Sequence, residues 1–156
     1  MIVARPASPS VGDVLDALAG VHDPEIPTVS LVDLGLVHDV RVSDRAVSVE
    51  LLPTWVACPA LDVIRTATIE AIEPLGLAVE VTFTRAVPWT TDRLTDAGRA
   101  GLRAAGIAPP SDLNAVECPF CTSSDVAMDS AFGPTLCRSL FYCRTCRQPF
   151  EAFKPV

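Results

Sequence analysis

From Ser10 the apolar positions repeat at close to 3.6 residues. Val11, Val14, Leu15 and Leu18 fall at i, i+3, i+4 and i+7, with Asp13 and Asp16 near the positive helix start, which predicts a first helix. The pattern stops in Gly20-Val21-His22-Asp23-Pro24-Glu25-Ile26-Pro27, where two prolines argue against regular structure and two carboxylates stand close together. This stretch reads either as a functional loop or as a rigid turn whose acids face water. After Gly35 the period changes to two. Leu36, His38, Val40 and Val42 alternate with polar or outward positions, Asp44-Arg45 makes a tight turn, and Val47, Val49 and Leu51 resume the alternation, which predicts a β-hairpin. From Pro59, the residues Leu61, Ile64, Thr68 and Ile72 form a helical stripe that Pro74 and Gly76 end. Leu77, Val79, Val81 and Phe83 then alternate as a third strand.

The order αββαβ predicts an α+β domain, with helices on one face of a small mixed sheet and a right-handed connection between its parallel strands. Farther on, Leu94, Ala97, Gly101, Leu102 and Ala105 suggest a weaker third helix whose two glycines lower its propensity. Gly106, Ile107 and Pro109-Pro110 stop it, and residues 108–114 read as a linker.

The 156 residues, 49% of them hydrophobic, suffice for one ordinary core and a small appended module, and no apolar run is long enough for a signal peptide or a membrane span. Residues 1–114 carry eight Lys and Arg against fifteen Asp and Glu, while 115–156 carry four of each. Neither part is a polyanion binder by bulk charge, so nucleic acid and anionic membrane are not expected partners. A cytoplasmic protein is expected. Five of the six cysteines fall in the last forty residues, and four of those form CxxC pairs, the pattern of metal ligands in a reducing compartment rather than of a disulfide framework.

Two constellations carry chemistry. In Pro53-Thr54-Trp55-Val56-Ala57-Cys58-Pro59 the lone cysteine of the first hundred residues precedes a proline suited to the first helical position. Cys58 is thereby expected at the N-cap, where free N–H groups and the helix dipole lower a thiol pKa; against this stands the reading of Cys58 as a small buried hydrophobe. The second constellation is Cys118-Pro119-Phe120-Cys121 with Cys143-Arg144-Thr145-Cys146. Four thiolates at this spacing suit tetrahedral Zn²⁺, in preference to an iron–sulfur cluster or a redox dithiol, and so short a module needs such a staple to fold. Cys137 is left over: a buried strand residue, a substitute zinc ligand, or a support for a cluster.

These motifs, with Asp23-Pro24-Glu25-Ile26-Pro27 and Val32-Asp33-Leu34-Gly35-Leu36-Val37, resemble the small iron–sulfur assembly domain family to which SufT belongs. Pro88-Trp89-Thr90-Thr91-Asp92, Gly106-Ile107-Ala108-Pro109-Pro110, the CPFC pair and Phe132-Gly133-Pro134-Thr135-Leu136-Cys137 narrow the resemblance to the PaaD family, whose members are encoded with the phenylacetyl-CoA epoxidase complex. The resemblance runs nearly end to end. It implies an iron–sulfur assembly-like domain over residues 1–87, a helical bridge and linker over 88–114, and a four-cysteine zinc ribbon over 115–156. It further implies a non-catalytic accessory protein of a multicomponent oxygenase that matures an iron or iron–sulfur centre in aerobic phenylacetate degradation. Cys58 matches the reactive cysteine, Asp23 and Glu25 the acidic loop, Thr54 the threonine of the cysteine motif, and Cys118, Cys121, Cys143 and Cys146 the structural zinc ligands. Ala57 stands where glycine is frequent and Leu52 where threonine is, and the chain ends without a further cysteine.

The cofactors implied are structural zinc and a transient iron ion or iron–sulfur cluster. The implied partners are the phenylacetyl-CoA epoxidase subunits, especially the metal-bearing oxygenase or reductase, together with iron–sulfur assembly proteins and a second copy of the chain. Two other readings compete. One is an interaction scaffold in which zinc shapes the docking surface and Cys58 is structural. The other is a cysteine hydrolase or transferase with His22 or His38 as base, which lacks a glycine-rich oxyanion loop.

Overall fold

The computed structural model describes residues 9–156. Ser10 caps α1 (Val11–Ala19): its hydroxyl accepts from the Asp13 N–H at 3.2 Å, and the Asp13 carboxylate accepts from the Ser10 N–H at 2.7 Å. These bonds hold the Asp13 carboxyl below its usual range. Val14 and Leu18 are buried, whereas Val11 and Leu15 remain exposed on the outer edge of the expected stripe.

The segment expected to be irregular is a small hairpin, β1 (His22–Asp23) and β2 (Ile26–Ser30). Pro24 occupies the turn, where a missing N–H costs nothing, and the Asp23 carboxylate accepts from the N–H groups of Glu25 at 2.8 Å and Ile26 at 3.0 Å. Side-chain bonds thus do what a backbone ladder would do elsewhere.

The principal sheet follows the alternation. β3 (Val37–Val42) pairs antiparallel with β4 (Ala46–Leu51), and β4 pairs in parallel with β5 (Ala78–Phe83), with Val49 opposite Val81. Between the parallel strands runs α2 (Leu61–Ile72), whose Ile64, Thr68 and Ile72 are buried; the two isoleucines join Val47, Val49, Leu51, Val14 and Leu18 in one apolar cluster. An α+β domain with this element order is therefore present, the hairpin being its addition.

Helix α3 (Asp96–Ala104) packs on β2 and on the turn that follows it. Thr95 caps the helix and binds Asp33 twice, its N–H to the carbonyl at 3.0 Å and its hydroxyl to the carboxylate at 2.7 Å. The glycines that weaken this helix in isolation let it approach. A Cβ at Gly101 would stand 2.5 Å from the Thr28 carbonyl oxygen, and one at Gly98 would collide with that of Asp33.

The stretch read as a linker begins inside the second sheet. β6 (Ile107–Ala108) pairs in parallel with β9 (Pro149–Phe153), which continues through β8 (Arg138–Cys143) to β7 (Val126–Ser130). Ile107 and Ala108 are buried apolar residues that fill the ribbon's edge, so they are structural rather than connective. The two halves meet across a packed seam. Trp89, 2% exposed, donates its indole N–H to the Leu34 carbonyl at 2.9 Å and lies against Phe153 with ring centroids 5.7 Å apart. Arg138, buried at the start of β8, binds Glu151 at 2.6 Å and reaches Glu25 of the hairpin at 3.8 Å.

Candidate metal centre and cargo site

The four ribbon cysteines converge. Their sulfurs lie within 4.8 Å of one another, with Cys118–Cys146 and Cys121–Cys143 each 3.6 Å apart. A disulfide is about 2.05 Å, whereas a tetrahedron with Zn–S bonds of about 2.3 Å has edges of about 3.8 Å. The donor set fits four-coordinate zinc. Its two knuckles are built alike: Cys118 N–H donates to Ser123 O and Cys143 N–H to Gln148 O, both at 2.9 Å. In each, the residue after the second cysteine, Thr122 or Arg147, takes a left-handed conformation with φ of 60°. Such backbone strain at non-glycine residues costs on the order of 1–3 kcal/mol, and a bound ion offsets it. The Cys146 N–H holds the Cys143 thiol down to about 7, whereas burial pushes Cys146 up to about 12.

Around Cys58 the structure departs from expectation. Helix α2 begins at Leu61 with Ala60 as its N-cap, so Cys58 stands two residues upstream in a turn, its own N–H bonded to Trp55 O at 3.2 Å. A proline with φ near −65° suits a turn as well as a first helical position, and here Pro59 serves the turn. The backbone N–H of Ala60 favours the thiolate. It does not dominate. Burial pushes the Cys58 thiol up from its ordinary value, and the charges of Glu25 and Asp23 push it further, so the expected lowering is reversed. Burial likewise raises Asp23.

Thr54, Cys58 and Glu25 line one small cavity of about 10 Å³, space for a single water or ion. Asp23 stands at the base of the same hairpin turn, near enough to act on the Cys58 thiol. The predicted acids, threonine and cysteine are thus brought to one place, whereas neither His22 nor His38 lines the cavity. The ribbon contributes Thr135, Leu136 and Cys137 to the same lining. Cys137 neither replaces a knuckle ligand nor lies inside β8. Its carbonyl accepts from the Lys154 N–H at 2.8 Å, and its sulfur sits 3.2 Å from the Thr135 hydroxyl. Its sequence signal was weak, a cysteine outside both CxxC pairs.

Next to this cavity an open cleft of about 330 Å³ shares Glu25, Pro59, Thr135 and Leu136 as walls. Phe132 on its rim is 81% exposed, and Val56 and Leu136 are also exposed. Lys154 fixes this rim: its ammonium lies 5.5 Å from the Trp55 ring centre and 5.7 Å from that of Phe132, and it donates to Leu136 O at 2.9 Å.

Fold and site together define an iron–sulfur-assembly-type domain joined to a zinc ribbon. Residues 12–83 match the iron–sulfur cluster assembly protein family, and residues 106–154 match the PaaD zinc beta ribbon domain. The chain is 35% identical over 162 aligned residues to a putative subunit of the 1,2-phenylacetyl-CoA epoxidase of Escherichia coli, covering 99% of this chain and 98% of that one. The chain belongs to the PaaD family. It is also 34% identical over 89 residues to an Fe-S protein maturation auxiliary factor of Porphyromonas gingivalis, covering 54% of this chain and 82% of the relative. Among solved structures, a domain of unknown function from Bacillus anthracis superposes with a TM-score of 0.54 at 25% identity, over 58% of this chain and 89% of that one. No helix among the described residues is long and apolar enough to cross a membrane.

Proposed function

We propose that this protein is a maturation factor for the iron or iron–sulfur centre of a phenylacetyl-CoA epoxidase system, acting on a protein client rather than on the oxidised substrate. The observation that carries this reading is the meeting of Cys58, Thr54 and Glu25 on one cavity, with Asp23 beside it, in a domain of the iron–sulfur assembly family. Support comes from the full-length similarity to a putative epoxidase subunit and from the relative described as a maturation auxiliary factor.

Cys58 binds the cargo by exchanging its S–H proton for a metal bond. Its raised pKa makes capture weak and pH-dependent, as release to a client requires. Asp23 and Glu25 draw the cation in and Thr54 shapes the wall, while the ribbon, its zinc held by Cys118, Cys121, Cys143 and Cys146, presents the docking surface. The exposed Phe132, Val56 and Leu136 beside the cavity offer the client an apolar contact.

Cys58→Ser should leave folding, zinc content and binding to the epoxidase subunits intact while the epoxidase accumulates deficient in iron and inactive. Cys143→Ser should lose zinc, binding and maturation together. Normal epoxidase iron and activity in cells holding Cys58→Ser at normal level would refute the carrier role and leave a zinc-ribbon scaffold with a structural Cys58.

A further inference from the structure

One thiolate holds a metal ion poorly, and the assembly domain brings one. The ribbon brings another. We propose that Cys137 joins Cys58 in a two-thiolate site for a divalent, thiophilic cargo ion such as iron(II), built across the seam and distinct from the four-cysteine zinc centre. This rests on the reading of Cys58 as a cargo ligand and deepens it.

Four observations converge. Cys58 and Cys137, from separate domains, line the same cavity of about 10 Å³. Glu25 shares that lining, and the charges of Glu25 and Asp23 act on both thiols, so a cation placed there relieves the repulsion that opposes their thiolates. The indole N–H of Trp55, on the same wall, is enclosed and finds no hydrogen-bond acceptor among the described residues. A thiolate bound to a metal supplies one. Finally, Cys137 is held in place from several sides: its carbonyl by Lys154, its sulfur by the Thr135 hydroxyl, and its neighbour Arg138 by Glu151 and Glu25. Such fixing of a residue outside the zinc set orients a side chain toward the seam.

The arrangement is open. Among the described residues only the ribbon cysteines gather three or more donor atoms within 4.8 Å, so the seam site closes around an ion instead of presenting a finished cage. That suits cargo, which must leave, as the closed ribbon site suits zinc, which must stay. Binding is balanced by protons alone: two S–H bonds break, two S–metal bonds form, two protons pass to solvent, and the ion remains divalent.

The test uses the full-length, zinc-loaded protein under anaerobic conditions, titrated with Co²⁺. Zinc content is measured alongside, so that the thiolate-to-cobalt charge-transfer band reports only the added site. Wild type should take up one Co²⁺ with a band of two-thiolate intensity. Cys137→Ser and Cys58→Ser should each about halve the band and weaken binding at least tenfold, and the double variant should show none. Loss with Cys58→Ser but an unchanged titration with Cys137→Ser overturns the shared site and leaves Cys58 as a cargo ligand. An unchanged titration with Cys58→Ser overturns the cargo reading itself. Dibromobimane gives a second measurement, since it fluoresces strongly only on bridging two neighbouring thiols. It should do so in zinc-loaded wild type and in neither single variant, and absence of bridging in the wild type overturns the pairing.

Discussion

Substituting the glycines of α3 sets two effects of opposite sign against each other. In a solvent-exposed helix, Gly→Ala stabilises by about 1 kcal/mol, because glycine has the most backbone freedom to lose. At Gly98 and Gly101 the added methyl instead meets backbone. The Gly101 Cβ would lie 2.5 Å from Thr28 O and 2.9 Å from Val29 Cγ2, and the Gly98 Cβ would run into Asp33 O and approach Leu94 Cδ1 at 2.9 Å. Carbonyl oxygens of a packed strand and turn cannot rotate aside as a side chain does, so the helix must retreat. Overpacking of this kind costs about 1–3 kcal/mol. Retreat also stretches bonds that dock the helix: Thr28 Oγ to Gly101 O at 2.7 Å for one position, the pair from Thr95 to Asp33 for the other. Each is worth about 0.5–1.5 kcal/mol. The packing terms exceed the propensity gain, and each variant should lose about 1–3 kcal/mol. Gly12 supplies the control, since a Cβ there meets nothing closer than Ser10 Oγ at 3.4 Å, and Gly12→Ala should gain about 0.5 kcal/mol. Urea unfolding of the zinc-loaded protein, followed by tryptophan fluorescence, reads both signs. With a urea slope of about 2 kcal/mol per molar, a loss of about 2 kcal/mol lowers the midpoint by about 1 M. A rise of the midpoint in Gly98→Ala and Gly101→Ala comparable to that in Gly12→Ala would refute the close-packing argument.

The purified chain should carry one zinc, and Cys143→Ser or a strong chelator should abolish the ribbon's tertiary signal, since zinc binding supplies on the order of 10 kcal/mol to such modules; metal analysis and near-ultraviolet circular dichroism check it, and iron with sulfide in place of zinc would overturn it. Cys58 should alkylate more slowly at pH 7 than a small free thiol, with a rate still rising above about pH 9, because burial and the nearby acids keep its proton on. A plateau below about pH 8 in an iodoacetamide rate profile, read by peptide mass, would contradict this. The same shift means that the native thiol keeps a proton the unfolded chain has lost once pH exceeds the ordinary thiol value, so its linkage lowers stability as pH rises through that window.

The β3–β4–α2–β5 unit is legible because its burial follows simple periods: Val47, Val49 and Leu51 at every second position, Ile64, Thr68 and Ile72 at every fourth. The β1–β2 hairpin is not, since its turn is closed by the Asp23 side chain and contains the proline that argues against strands. Cys58 was legible as a candidate but not in its environment. Pro59 is compatible with two backbone placements two residues apart, and only the packed chain chooses between a cap, which lowers a thiol pKa, and a buried turn, which raises it. The glycines of α3 mislead for a related reason: propensity counts the helix alone, while their value lies in the surface it must approach.

Cys137 was the least legible of all, because its meaning is a contact between parts of the chain nearly eighty positions apart. That contact makes the two modules depend on each other. Cys143 ends the strand that Arg138 begins, and Cys137 immediately precedes it, so the thiol at the seam is placed by the same β8 that carries a zinc ligand at its other end. Arg138 ties the strand to Glu25 of the acidic hairpin, and Phe153 of β9 ties it to Trp89. β8 carries Cys143 at one end and fixes the position of Cys137 at the other, where it lines the same cavity as Cys58. The ribbon therefore does more than decorate an assembly domain: it completes one wall of the cavity in which Cys58 sits.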